Sequence, residues 1–294
     1  MGARREAHEA LAAAGLRPRK RWGQHFLCDP AVARRIVEAA ALGPDSVVLE
    51  IGPGLGALTD ELAARAARLY LVEIDRVLSA RLTARYAERS HVRVLEGDAL
   101  TLPLDQLVAE PLVTVVGNLP YNISTPVVFR LLALRERFPR AVLMLQREVA
   151  ERLASPPGRA TYGVTSLLVQ AFAEVQLRFN VSRRSFFPRP QVDSTVVELA
   201  WQAAPRAEIG DVALFTAVVR AAFGQRRKML RNALGGLVGS RGLSSDAMRA
   251  LYARAGIEAT ARAEQLDLAA FGRLARALHE APLAAAGPGQ APAR

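Results

Sequence analysis

Apolar residues fall in short, dense runs along the first two-thirds of the chain. They occur at 47–51 (Val-Val-Leu-Glu-Ile), 69–74 (Leu-Tyr-Leu-Val-Glu-Ile), 92–95 (Val-Arg-Val-Leu), 112–116 (Leu-Val-Thr-Val-Val) and 141–145 (Ala-Val-Leu-Met-Leu). Each run has the length of a strand. Between several of them lie helical patterns, notably over 58–67 and 77–89. Near-continuous apolar strands separated by helices predict a parallel sheet covered on both faces. Two later runs, 175–181 and 195–201, read as extra strands. The short link between them, around Phe186-Phe187-Pro188, suits an antiparallel pair at the sheet edge.

After Pro205 the strand pattern stops. Residues 211–223, 226–238, 245–255 and 262–281 read as helices, with Leu268, Phe271, Leu274 and Leu278 recurring at three to four residues. The expected organisation is a basic flexible arm over 1–21, an α/β domain over 22–205, a small all-helical domain over 206–281 and a disordered Ala/Gly/Pro-rich tail over 282–294.

Composition narrows the classes. Of 294 residues half are hydrophobic, enough for a sizeable core. The formal net charge of +11 argues for a polyanionic partner, though not for any fold. Only Lys20 and Lys228 are lysines; the other basic residues are arginines, which suit bidentate phosphate contacts and stacking on bases. The single cysteine, Cys28, excludes a disulfide framework within one chain. His8, His25, His91 and His279 lack metal-ligand spacing, so no metal site is expected. No run approaches the ~20 apolar residues of a membrane span, and Met1–Arg21 lacks the apolar core of a signal peptide, so the chain reads as cytoplasmic.

Glu50-Ile51-Gly52-Pro53-Gly54-Leu55-Gly56 follows the first strong strand run and precedes a helical one. Glycines at alternate positions permit a tight turn and close approach of a ligand to the backbone. Glu73 ends the next strand about 20 residues on, where a carboxylate can accept hydrogen bonds from ribose hydroxyls. The spacing is not that of the dinucleotide turn, and Pro53 lacks an N–H that a pyrophosphate would use. The loop resembles the E/D-x-G-x-G-x-G turn of class I methyltransferases, which hold S-adenosylmethionine. Gly97-Asp98 extends that resemblance, which implies that Asp98 meets the cofactor's adenine amine.

Asn118-Leu119-Pro120-Tyr121 closes the fourth strand run. An exocyclic amine on a base is a weak nucleophile because its lone pair is delocalised. Acceptors on both N–H groups localise that pair. The Asn118 carbonyl can be one acceptor and a backbone carbonyl within Leu119-Pro120 the other, with Pro120 stiffening the turn. Tyr121 can stack on the base.

Taken in order, Lys20–Leu27, Glu50–Gly56, Gly117–Thr125, Phe186–Ser194 and Ala222–Asn232 resemble the ribosomal RNA adenine N6,N6-dimethyltransferases of the KsgA/RsmA family over about residues 19–280. The resemblance implies a class I S-adenosylmethionine-dependent methyltransferase: Rossmann-like, with a mostly parallel seven-stranded sheet and a small all-helical C-terminal domain. It implies cofactor contacts from His25, Leu27, Gly52, Gly54, Glu73, Asp98 and Asn118, and Phe186 facing Tyr121 across the target adenine. His25 departs from the Asn common in the family. The substrate implied is two adjacent adenines near the 3′ end of small-subunit (16S) rRNA, in a pre-30S particle.

Arg226, Arg227, Lys228 and Arg231 are expected to contact RNA from the start of the second C-terminal helix, with Arg227 and Arg231 on one face. Arg178, Arg183, Arg184 and Arg189 flank the Phe186 loop without an acid nearby in sequence. Three other readings are an Erm-type large-subunit rRNA methyltransferase, a DNA adenine methyltransferase and a non-catalytic RNA-binding assembly factor. The absence of a separate target-recognition segment disfavours the second. Intact Asn118, Tyr121, Glu73 and Asp98 disfavour the third.

Overall fold

The computed structural model describes residues 23–281; the arm expected over 1–21, the motif residues Lys20, Arg21 and Trp22, and the tail expected over 282–294 lie outside the described residues. The chain divides into two compact units. Among the described residues, one comprises 23–154 together with Ala173–Ala203; the other comprises Ser155–Phe172 together with 204–281.

The first unit is built on nine strands: β1 (Phe26–Leu27), β2 (Val47–Ile51), β3 (Arg68–Glu73), β4 (Val92–Glu96), β5 (Thr114–Asn118), β6 (Arg140–Gln146), β7 (Ala173–Val181), β8 (Phe186–Phe187) and β9 (Ser194–Trp201). Seven form one sheet in the order β4-β3-β2-β5-β6-β9-β7. The first five are parallel, and β9 and β7 are antiparallel at the far side. Consecutive residues such as Val48 and Leu49, Val115 and Val116, and Val142 and Leu143 are all buried, so both sheet faces are covered. That coverage is why these strands read as unbroken apolar runs.

The order reverses at β2, with β3 on one side and β5 on the other. The carboxyl ends of β2 and β5 therefore diverge into a crevice, the place where open α/β sheets bind ligands. Aspartates start the helices around it. Asp29 accepts from the Ala31 and Val32 N–H groups ahead of helix Pro30–Ala39, and Asp75 from Val77 ahead of helix Arg76–Arg85. The helix expected over 58–67 is shorter, Thr59–Ala63, because the Ala67 N–H already bonds Ser46 as the chain enters β3.

The second unit is helical, with Val212–Gly224, Ser245–Ala255 and Leu268–His279 its longer helices from 204 onward. Helix Val164–Gln170, ahead of the last two strands in sequence, also belongs to it. Tyr162, 1% exposed, explains why: its hydroxyl donates to the Leu266 carbonyl at 3.0 Å, and its ring meets Phe223 edge-on at 5.8 Å.

The single helix expected over 226–238 is a correction. Residues 225–228 form a turn, followed by two short helices, Leu230–Ala233 and Gly235–Gly239. Met229 is extended and bridges Arg262, and the Leu230 N–H donates to Ala261, which no continuous helix through 229 would allow. No helix among the described residues is long and apolar enough to cross a membrane.

Candidate active site

The crevice is lined by the segment 23–27, the loop from Glu50 to Leu58, the ends of β3 and β4, and Asn118–Ile123. It encloses about 1070 Å³ including its open mouth, ample for a small-molecule ligand.

One half is backbone and carboxylate. Gly52, Gly54 and Gly56 have φ of 71°, 58° and 90°, in the left-handed region. At Gly54 a Cβ would also come within 3.1 Å of the Phe26 ring. Glu73, 4% exposed, accepts from the Gly54 N–H (3.0 Å) with one oxygen and from the Asp75 N–H (2.9 Å) with the other. Burial raises its carboxyl above the usual range, and those two donors oppose the rise. The Asp98 Oδ1 accepts from the Leu100 N–H at 2.8 Å.

Glu50, 1% exposed, receives the Thr59 hydroxyl at 2.7 Å. Burial pushes its carboxyl up to about 8, against that hydrogen bond. In the sequence Glu50 stands only as the first letter of the glycine motif, with nothing local to mark a further task.

Among the described residues the lining carries three carboxylates, Glu50, Glu73 and Asp98, and no Arg or Lys. Pro53 offers no N–H. This set of acceptors therefore fits a ligand bearing hydroxyls, amines and positive charge, and not a pyrophosphate. S-adenosylmethionine, with ribose hydroxyls, an ammonium and a sulfonium, has that character.

The other half holds the Asn118 turn. The Asn118 amide nitrogen donates to the His25 carbonyl at 3.1 Å, and no donor among the described residues meets its side-chain carbonyl. Pro120 O already accepts from the Ile123 N–H and the Ser124 hydroxyl, both at 3.1 Å. Leu119 O takes no donor among the described residues. The Tyr121 and Ser194 hydroxyls lie 2.9 Å apart, and burial raises the Tyr121 phenol. The His25 ring tilts against Tyr121 at 5.4 Å and its Nδ1 donates to Pro188 O at 2.7 Å.

The structure brings His25, Leu27, Gly52, Gly54, Glu73, Asp98, Asn118, Leu119, Pro120 and Tyr121 into one crevice. Phe186 is a correction. It does not line the crevice; it is 1% exposed and lies in the core cluster with Leu27, Ile36 and Val181. Its register partner is Leu27, and pairing of β8 with β1 turns the ring inward. Ser194 and Thr59, which hold Tyr121 and Glu50, were not singled out by sequence; Ser194 does close the Phe186–Ser194 motif, a signal that could have found it.

The arginines also sort differently. Arg178 pairs with Glu198 across neighbouring strands, and the Arg183 guanidinium donates to Gln191 O while its N–H meets Asp193, so acids and carbonyls are close. In the second unit Arg226 pairs with Glu264 at 2.9 Å and donates to Arg159 O. Arg227, Lys228 and Arg231 are exposed, and the helix face expected to join Arg227 to Arg231 is broken by the turn. Among the described residues no cluster of His, Cys, Asp and Glu could hold a metal ion.

Comparison with known proteins is consistent across sequence and backbone. A family model described as Ribosomal RNA adenine dimethylase matches residues 15–280. The Ribosomal RNA small subunit methyltransferase A of Moorella thermoacetica is 44% identical over 273 residues, covering 90% of this chain and 93% of its own length. That of Syntrophotalea carbinolica is 46% identical over 260 residues, covering 88% and 96%. Among solved structures, a dimethyladenosine transferase from Plasmodium falciparum superposes with a TM-score of 0.69 at 26% identity, covering 85% of this chain and 95% of its own. The 23S rRNA methyltransferase ErmE gives 0.67 at 28%, covering 87% and 100%.

Proposed function

The chain belongs to the ribosomal RNA adenine dimethylase family, and we propose that it methylates N6 of two adjacent adenines near the 3′ end of 16S rRNA, twice each, during small-subunit assembly. The observation that carries this is the Asn118 amide, held by the His25 carbonyl, with the Asn118 side-chain carbonyl and the Leu119 carbonyl both without a donor among the described residues.

Bound against Gly52, Gly54, Glu73, Asp98 and the His25–Leu27 segment, S-adenosylmethionine supplies an electrophilic methyl group on a sulfonium. The protein's own part is orientation and preorganised dipoles. Asn118 Oδ1 accepts one N–H of the target amine and Leu119 O the other, which localises the nitrogen lone pair for in-line attack. Pro120 O, already occupied twice, serves to hold the turn. Tyr121, tethered to Ser194, packs on the base face, worth about 1–3 kcal/mol. The nitrogen would become cationic as its bond to the methyl carbon forms and the carbon–sulfur bond breaks to leave a neutral thioether, and its proton would leave to water without a dedicated base.

The target base must be unstacked to reach Asn118. The exposed Arg227, Lys228 and Arg231 of the helical unit are assigned to phosphates, in a pre-30S particle in the cytoplasm. Arg226 serves the packing of its own unit through Glu264.

The backbone alone does not separate small- from large-subunit rRNA, since ErmE superposes almost as well as the dimethyladenosine transferase. Sequence does: identities of 44% and 46% fall on small-subunit enzymes, against 28% to ErmE. The test offers labelled S-adenosylmethionine to undermethylated small subunits, large subunits and DNA, then maps the product. Label on adjacent dimethyladenines of the small subunit is the expected result. Label confined to the large subunit would move the chain to the Erm activity.

A further inference from the structure

Glu50 is the least compensated charge-bearing group in the crevice. Glu73 receives two backbone N–H groups, and Asp98 one. From helix Thr59–Ala63, Asp60 faces Glu50, but its charge is answered by the Arg85 guanidinium and the Tyr86 hydroxyl, each at 2.6 Å. Among the described residues Glu50 has only the Thr59 hydroxyl. Among the described residues the titratable groups around it are Asp60, Glu73 and Tyr86; the one cation near them, Arg85, is taken up by Asp60 and the Leu55 carbonyl and makes no ion pair with Glu50, and β5 contributes no titratable side chain at Val116, its register partner. A buried carboxylate with one neutral donor, beside other carboxylates, holds its proton. The value of about 8 agrees with that geometry.

We propose that Glu50 is uncharged in the cofactor-free protein and gives up its proton when a cationic ligand enters, so that it selects for positive charge at the cofactor site. A cation beside the carboxyl replaces the missing compensation and favours the ionised form. The proton goes to bulk water, and the pair formed is Glu50 carboxylate with the ligand's ammonium or sulfonium. Glu50 is thus a specificity-determining residue for the methyl donor. The inference rests on the cofactor reading above.

The experiment is titration calorimetry of the full chain with S-adenosylmethionine at pH 7, in two buffers of different ionisation heat, which counts protons exchanged on binding. The wild type is expected to release close to one proton more per cofactor than Glu50→Gln, an isosteric change that keeps an acceptor for Thr59. Comparing the two chains cancels the cofactor's own titrations. Adenosine, which is neutral, is expected to give no difference between them. S-adenosylhomocysteine retains the ammonium alone; a difference there assigns the effect to the ammonium, and none assigns it to the sulfonium. Equal counts for wild type and variant with S-adenosylmethionine, or the same difference with adenosine, would overturn the proposal. Infrared difference spectra of the wild type check it without the variant: a protonated carboxyl band must vanish on binding. If S-adenosylmethionine does not bind, the cofactor reading fails; if it binds with no proton released, only this inference does.

Discussion

The two halves of the crevice are held in different ways. Apart from the His25–Leu27 segment, the cofactor half is local: Gly52, Gly54, Glu73 and Asp98 sit at the ends of neighbouring parallel strands, tied by backbone N–H bonds over short stretches. The base half is held by partners far away in sequence. Asn118 is oriented by the His25 carbonyl, 93 residues distant, Tyr121 by Ser194, 73 distant, and His25 in turn by Pro188, 163 distant. A local site tolerates change elsewhere in the fold. A site assembled from three separate segments inherits the stability of each contact between them.

The largest effect that separates the halves is expected from Asn118→Ala. Methylation should fall by about a thousandfold or more, the scale of losing a preorganised catalytic dipole, with cofactor affinity in calorimetry changed by less than about tenfold. Near-wild-type turnover would sink the two-acceptor mechanism. Phe186→Ala tests the inward placement of that ring: a loss of about 3–5 kcal/mol in denaturant unfolding is expected. A full-stability variant that lost only RNA methylation would instead return Phe186 to the base pocket.

Gly54→Ala strikes the cofactor half alone. The methyl meets Phe26 and the positive φ is strained, so S-adenosylmethionine affinity should weaken about thirtyfold while RNA retention on filters is unchanged. Glu50→Gln is smaller and depends on pH. A folded-state carboxyl raised from 4.5 to about 8 keeps a proton that the unfolded chain has lost, so its contribution to stability falls as pH rises between those values. The variant should therefore melt higher than wild type at pH 8, by roughly 1–3 kcal/mol, and equally at pH 4. Ser194→Ala should have the least effect: kcat lower by about fivefold through a looser Tyr121, with cofactor binding intact, the scale of one hydrogen bond.

The same contrast explains what could be read from sequence. The inner strands β2, β3, β5, β6 and β9 were legible because each is buried on both faces, and apolar runs such as 47–51 carry that signature without any partner being known. The glycine loop and the Asn118 turn were legible because their chemistry is contiguous. The pairing of Phe26–Leu27 with Phe186–Phe187 was not: two-residue strands have no period. Without that pairing Phe186 looks like a free aromatic beside a base site. The acid answering Arg178 lies on a neighbouring strand, 20 residues on, where a scan for adjacent charges misses it. The break at Met229 is imposed by a bridge to Arg262.

The excursion of residues 155–172 bears on how the chain can be cut and how it is made. The chain passes between units at three places, after Ala154, Phe172 and Ala203. Ending the protein near Pro205 would not isolate the methyltransferase half, because it would retain Tyr162 and the Val164–Gln170 helix without Leu266 and Phe223. The shortest clean excision replaces 155–172 with a brief linker and stops near Ala203. On an emerging chain, β6 must wait for β9, about fifty residues later, and the intervening helix waits longer still for the C-terminal third. The first unit has all its strands once β9 has emerged, near Ala203, whereas the excursion over 155–172 finds Phe223 and Leu266 only later, so the earlier-made segment is the last to be packed.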